Sequence, residues 1–197
     1  MADNNASAIN ALLEKAGISP ETTDVVLTVD ALLQRWRRRA MRREMGHKAL
    51  IDLKAGIDLA QLDVLIAIEG PTPEFGEASG ETMIATVAER LGIDPSRASR
   101  VVSEMVERGF ARRAVSQADA RRTIIELTER GRALVDAVRA YKFLVMGDFF
   151  SGWSAEDLAV FVPLLQRFAS WNEGMGRSAE KFADDIEELS KSIQAPR

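Results

Sequence analysis

The chain contains no cysteine, and that absence removes disulfides, thiolate metal sites and thiol-based redox sensing together. It has a single histidine, His47, so no nucleophile and base pair and no cluster of metal ligands is apparent. Its 13 glycines form neither a dinucleotide-binding nor a phosphate-loop fingerprint, and its acidic residues are scattered as solvating charge. No apolar run approaches the roughly 18 residues that a bilayer span requires, and the N-terminus lacks a basic-then-apolar export pattern. These absences predict a cytoplasmic protein that is not an enzyme and carries no cofactor or metal.

What is present is a soluble composition, with 46% hydrophobic and 28% charged residues in 197. That length supports one sizeable core, whereas two full domains would be a squeeze. The most informative stretch is Thr82 to Thr128. Ile84, Val87, Ala88 and Leu91 recur at the spacing that buries one stripe of a helix over Met83 to Leu91, with Thr82 placed to cap it. Gly92 follows where a left-handed helix end costs little. Asp94-Pro95 then supplies an N-cap and a fixed first-turn dihedral for a second helix, Pro95 to Arg108.

That second helix divides by face. Ala98, Val101, Val102 and Met105 take one side, and Ser96, Arg97, Ser99, Arg100 and Ser103 the other. Short hydroxyls beside guanidinium groups suit a DNA groove, because serines allow close approach to phosphate and arginine pairs in bidentate fashion with guanine edges. The alternative for this face alone is ordinary solvated surface. Gly109 ends the helix, and Phe110 to Val115 and Thr123 to Thr128 read as strands of a hairpin. The polar loop Ser116 to Arg122 carries Asp119, Arg121 and Arg122. Adjacent arginines at a hairpin tip suit a minor groove, and Asp119 is placed to pair with one of them and fix the tip.

The formal charge of −4 conceals an uneven distribution. Arg97 to Arg122 holds seven arginines against Glu104, Glu107 and Asp119, so this stretch is strongly basic, and local charge sets a phosphate interaction. A second basic cluster comprises Arg35, Arg37, Arg38, Arg39, Arg42, Arg43 and Lys48. It lies on an expected helix from about Thr23 to Leu53 whose Val25, Val29, Leu32, Leu33, Trp36 and Ala40 mark a buried stripe. Its arginines either form a solvated face with local ion pairs or reach a DNA backbone.

Val87-Ala88-Glu89-Arg90-Leu91-Gly92-Ile93, Val106-Glu107-Arg108-Gly109-Phe110, Asp119-Ala120-Arg121-Arg122 and Leu127-Thr128-Glu129-Arg130-Gly131-Arg132, in this order and spacing, resemble the MarR family of bacterial transcription regulators. The resemblance covers about Leu32 to Trp171. It implies a mainly α fold with a small β-wing, a winged helix-turn-helix. It further implies a homodimeric repressor or activator that reads a pseudo-palindromic operator in duplex DNA and responds to a small ligand, often an aromatic or phenolic acid. The rival readings are a winged-helix adaptor for a protein partner and an architectural DNA protein without sequence preference.

Around that centre the chain reads as residues 1–57, an N-terminal extension and long helix; 58–128, the DNA-binding region; and 129–197, C-terminal helices with an acidic extension. Asp58 with Gln61, and Ser154 with Asp157, signal the starts of two further helices. Leu134, Val138, Tyr141, Val145 and Phe149 line one outer helix, and Leu158, Phe161, Val162, Leu165 and Phe168 another. Their apolar faces exceed what one winged domain covers, so a second copy is the expected partner. Gly70 to Gly80 reads as an irregular loop, Ser7 to Ala16 as a short extra helix, and Ser178 to Ile193 as an acidic amphipathic one. Trp36, His47, Asp63 and Tyr141 are the candidate effector contacts, each with an ordinary packing, capping or surface role as its alternative.

Overall fold

The computed structural model describes residues 2–70 and 80–194. Ten α-helices and a two-stranded sheet are present among them: α1 (Ala2–Lys15), α2 (Pro20–Arg42), α3 (Glu44–Asp52), α4 (Leu59–Glu69), α5 (Ile84–Leu91), α6 (Pro95–Glu107), β1 (Ala111–Val115), β2 (Thr123–Leu127), α7 (Glu129–Ser151), α8 (Ala155–Ala169), α9 (Met175–Lys181) and α10 (Ala183–Gln194). A 3-10 turn, Ser170–Gly174, separates α8 from α9. The expected winged helix-turn-helix is therefore present, mainly α with a small β-wing. The expected loop from Gly70 to Gly80 falls almost wholly outside the described residues.

The chain divides into two compact units, residues 42–150 and residues 1–41 with 151–197. The core of the first is closed by α4, α5, α6, the wing and the start of α7. Val64, Leu65 and Ile68 of α4 meet Val87 and Ala88, then Ala98, Val102 and Met105, then Phe110, Ile125, Leu127 and Val135. The helical stripes expected of α5 and α6 supply these contacts, with Ile84, Leu91 and Val101 packed at the edge. Leu65, Val87, Val102 and Met105 are completely removed from solvent.

Three expectations are corrected. The helix expected from Thr23 to Leu53 is two helices, broken at Arg43, whose backbone adopts left-handed angles (φ 51°). No glycine or proline announces the break. Arg43 is instead tied by its guanidinium to Asp63 on α4, a residue twenty positions away, and the left-handed conformation costs a non-glycine residue roughly 1–2 kcal/mol. The stripe expected to be buried on α2 is not: Val25, Leu32 and Trp36 are 60%, 53% and 71% exposed, and none of the described residues covers them. The acidic C-terminal helix is also two, α9 and α10, interrupted at Phe182.

The second unit has little interior. Thr23 is its one buried residue among those described, and α8 buries none of its side chains. Lys15 pairs with Asp185 and Glu188, so α1 and α10 are joined by charge. No helix among the described residues is long and apolar enough to cross a membrane.

Candidate nucleic-acid interface

The corner between α5 and α6 is built from local signals. Gly92 takes the left-handed conformation (φ 61°), and the Asp94 carboxylate accepts from the Arg97 amide at 2.8 Å with Pro95 in the first turn. Burial of Ala98, Val102 and Met105 then turns Ser96, Arg97 and Arg100 to solvent, with Ser99 and Ser103 partly covered. Among the described residues Arg97 and Arg100 have no ion-pair partner. Two guanidinium groups that no described residue neutralises therefore project from the first two turns of α6.

The hairpin runs antiparallel, with Arg112 opposite Glu126 and Arg113 opposite Ile125. Successive strand residues point to opposite faces, and the two arginines part accordingly. Arg112 donates through Nε and Nη2 to Glu126. Arg113 donates to the Ser103 hydroxyl at 3.0 Å, joining the wing to α6. At the tip, Asp119 accepts from the Arg121 amide at 3.0 Å and pairs with the Arg122 side chain at 3.4 Å. Arg121 itself is exposed, and no described residue forms an ion pair with it.

The wing base rests on contacts that sequence reasoning missed. Ser116 is buried and donates to Glu81, whose other carboxylate oxygen accepts from the Gln117 amide at 2.8 Å. The Ser116 hydroxyl also accepts from the Ala118 and Asp119 amides. These donors, the Ser116 hydroxyl first, hold the Glu81 carboxyl below its ordinary range against the opposing effect of burial; the Arg122 charge adds to them. Ile125 donates its amide to the Thr82 carbonyl at 2.7 Å, and Arg90 bonds the Thr82 hydroxyl and the Ala67 carbonyl. Thr82 is thus a buried link between wing and helices, not the cap of α5: Met83 holds that position and donates its amide to Thr86.

Not every arginine of the basic stretch faces outward. Arg108 donates to Gln61 and to the Gly56 carbonyl, and its guanidinium lies 5.5 Å from the Phe110 ring centre. Arg130 covers the same ring at 4.3 Å and donates to the Arg108 carbonyl. At this junction a Cβ on Gly131 would lie 2.0 Å from the Phe110 carbonyl oxygen, so only glycine fits. Nothing local in the sequence marks Glu81, Arg90 or Arg113 for these roles, since their partners lie far along the chain.

Of the four candidate effector residues, Trp36 belongs to one unit and His47, Asp63 and Tyr141 to the other. His47 is exposed on α3, and Asp63 is occupied by Arg43. Tyr141 donates to Asp52 at 2.7 Å, and Asp52 also holds Lys48. Those bonds, the Lys48 one first, lower the Asp52 carboxyl, and the bond to Asp52 raises the Tyr141 hydroxyl. Two open grooves of about 490 and 340 Å³ lie instead beside Arg112 and Arg132, and none of the four residues lines them.

Comparison with known proteins places this geometry. No curated protein matches the sequence. The model of the MarR family matches residues 55–122, which hold α4, the helix corner, β1 and the wing loop. Among solved structures, RV1404 from Mycobacterium tuberculosis superposes with a TM-score of 0.58 at 22% identity, covering 75% of this chain and 93% of that one. YusO from Bacillus subtilis gives 0.54 at 21% identity, covering 78% and 99%. A variant of S. aureus MepR bound to an oligodeoxyribonucleotide gives 0.51 at 20% identity, covering 71% and 95%. The likeness to the MarR family is thus carried by the sequence match over residues 55–122, and the solved structures share the fold.

Proposed function

We propose that this protein is a DNA-binding transcription regulator, a repressor, that reads a pseudo-palindromic operator as a homodimer and is released by a small ligand. The observation that carries the reading is the pair of exposed guanidinium groups, Arg97 and Arg100, at the start of a helix that packs beside a wing tipped by Arg121. Each such helix would enter a major groove, with half-sites about one turn, roughly 10 base pairs, apart. Ser96, Ser99 and Ser103 would approach the backbone and base edges, while Arg121 and Arg122, shaped by Asp119, would follow the minor groove. The DNA-bound MepR variant shares this fold, which is in keeping with that docking. An aromatic or phenolic acid that changed the separation of the two heads would lower affinity, because both helices must fit their grooves at once.

The test is fluorescence anisotropy of the purified protein against the DNA upstream of its own gene and against a scrambled duplex, at two salt concentrations. A tight, salt-sensitive preference for the native segment is expected. Arg100→Ala should cost about 1–3 kcal/mol and relax base preference, whereas Arg121→Ala should weaken both duplexes alike. Equal binding to both duplexes would leave an architectural protein, and no binding at low salt would leave a protein adaptor.

A further inference from the structure

The second basic cluster is divided by the structure into two parts that behave differently. Arg42 pairs with Glu44, Arg43 with Asp63 and Lys48 with Asp52. Arg35, Arg37, Arg38 and Arg39, on the last turns of α2, have no acidic partner among the described residues, and all four are exposed. Arg35, Arg38 and Arg39 stand three and four positions apart, so their like charges crowd one helical face and oppose the helix they sit on. No acid lies between Asp30 and Glu44 to relieve them.

We infer that Arg35, Arg38 and Arg39 form a sequence-independent contact for the phosphate backbone of duplex DNA, additional to the α6 and wing contacts. The inference rests on the DNA-binding reading above. A convex helix face suits an extended polyanion, which lies along it, better than a small anion, which needs walls. Neither of the grooves beside Arg112 and Arg132 includes these residues. A backbone contact also accounts for the choice of residue: arginines that repel one another gain from phosphate the partner that no described residue gives them. The contribution is to overall grip, since phosphates carry no base identity.

The experiment compares the full-length protein with R35Q/R38Q/R39Q and R35K/R38K/R39K. Affinity for the native upstream duplex and the scrambled one is measured between about 50 and 200 mM salt, and helix content is checked by circular dichroism. The glutamine variant should lose about tenfold or more in affinity for both duplexes by the same factor. Its slope of log affinity against log salt should be shallower by about 2 to 3. The lysine variant should restore both quantities.

A parent-like slope in the glutamine variant, while the parent still prefers the native duplex, would overturn the inference and leave the regulator reading intact. Failure of the parent to bind either duplex would sink both. Unchanged DNA binding combined with lost binding to phosphatidylserine vesicles would also overturn the inference, and would reassign the stripe to an anionic membrane surface.

Discussion

The two units of this chain solve the same problem, the burial of apolar helix faces, in opposite ways. In residues 42–150 the stripes of α4, α5 and α6 converge, and Leu65, Val87, Val102 and Met105 lose all contact with solvent. In residues 1–41 with 151–197 the stripes are equally periodic, yet Val25, Leu32, Trp36, Val162 and Leu165 stay exposed. Periodicity says which face of a helix is apolar and nothing about what covers it. The head is stabilised within one chain, whereas the outer helices present large apolar surface that isolated soluble monomers seldom carry. A second copy, self-complementary about a two-fold axis, is the covering this reading proposes.

That contrast can be broken at graded cost. Leu65→Ala, at the centre of the head, should lower folding stability by about 2–5 kcal/mol, and the shift in the urea midpoint should not depend on protein concentration. Gly131→Ala forces a methyl against the Phe110 carbonyl and should cost about 2–3 kcal/mol as α7 is pushed from the wing; an unchanged midpoint would refute the close approach.

Val160→Asp with Leu164→Asp, on exposed α8 positions, should change the stability of the single chain by no more than about 0.5 kcal/mol. Light scattering should nevertheless show the assembly reduced to monomers, and an assembly that persisted would place the partner elsewhere. The smallest effect concerns the wing base. Because the folded-state Glu81 carboxyl is held below its ordinary value, its contribution is complete above that ordinary value and lost as pH falls through the lowered one. Hydrogen exchange at the Gln117 amide should quicken over that acid window in the parent, and Glu81→Gln should remove the pH dependence.

Much of the fold was legible because its signals are local. Asp94-Pro95, Asp58 with Gln61 and Ser154 with Asp157 each cap a helix within three residues, and the hairpin begins and ends within one residue of its expected strands. What escaped depends on distant partners. The break at Arg43 involves Asp63, the role of Thr82 involves Arg90 and Ile125, and the wing base joins Glu81 to Ser116 across thirty-five positions. The interface residues themselves follow the same division. The outward set on α6 was readable from its buried complement, while the tie between Arg113 and Ser103 required the hairpin to be folded back on the helix.

One consequence of the wing junction is mechanical. Thr128 bonds the Phe110 carbonyl through its amide and bonds both Gly109 and Phe110 through its hydroxyl, at the point where α7 starts and Gly131 is pressed on the same carbonyl. The hairpin and the 23-residue helix therefore share a stiff joint. At about 1.5 Å per residue the helix is a lever of roughly 34 Å. A tilt of about five degrees sweeps its far end through some ~3 Å while moving the joint by a fraction of an ångström. Small torques at the distant end of α7 are thus delivered to the wing as orientation, with little slack in between.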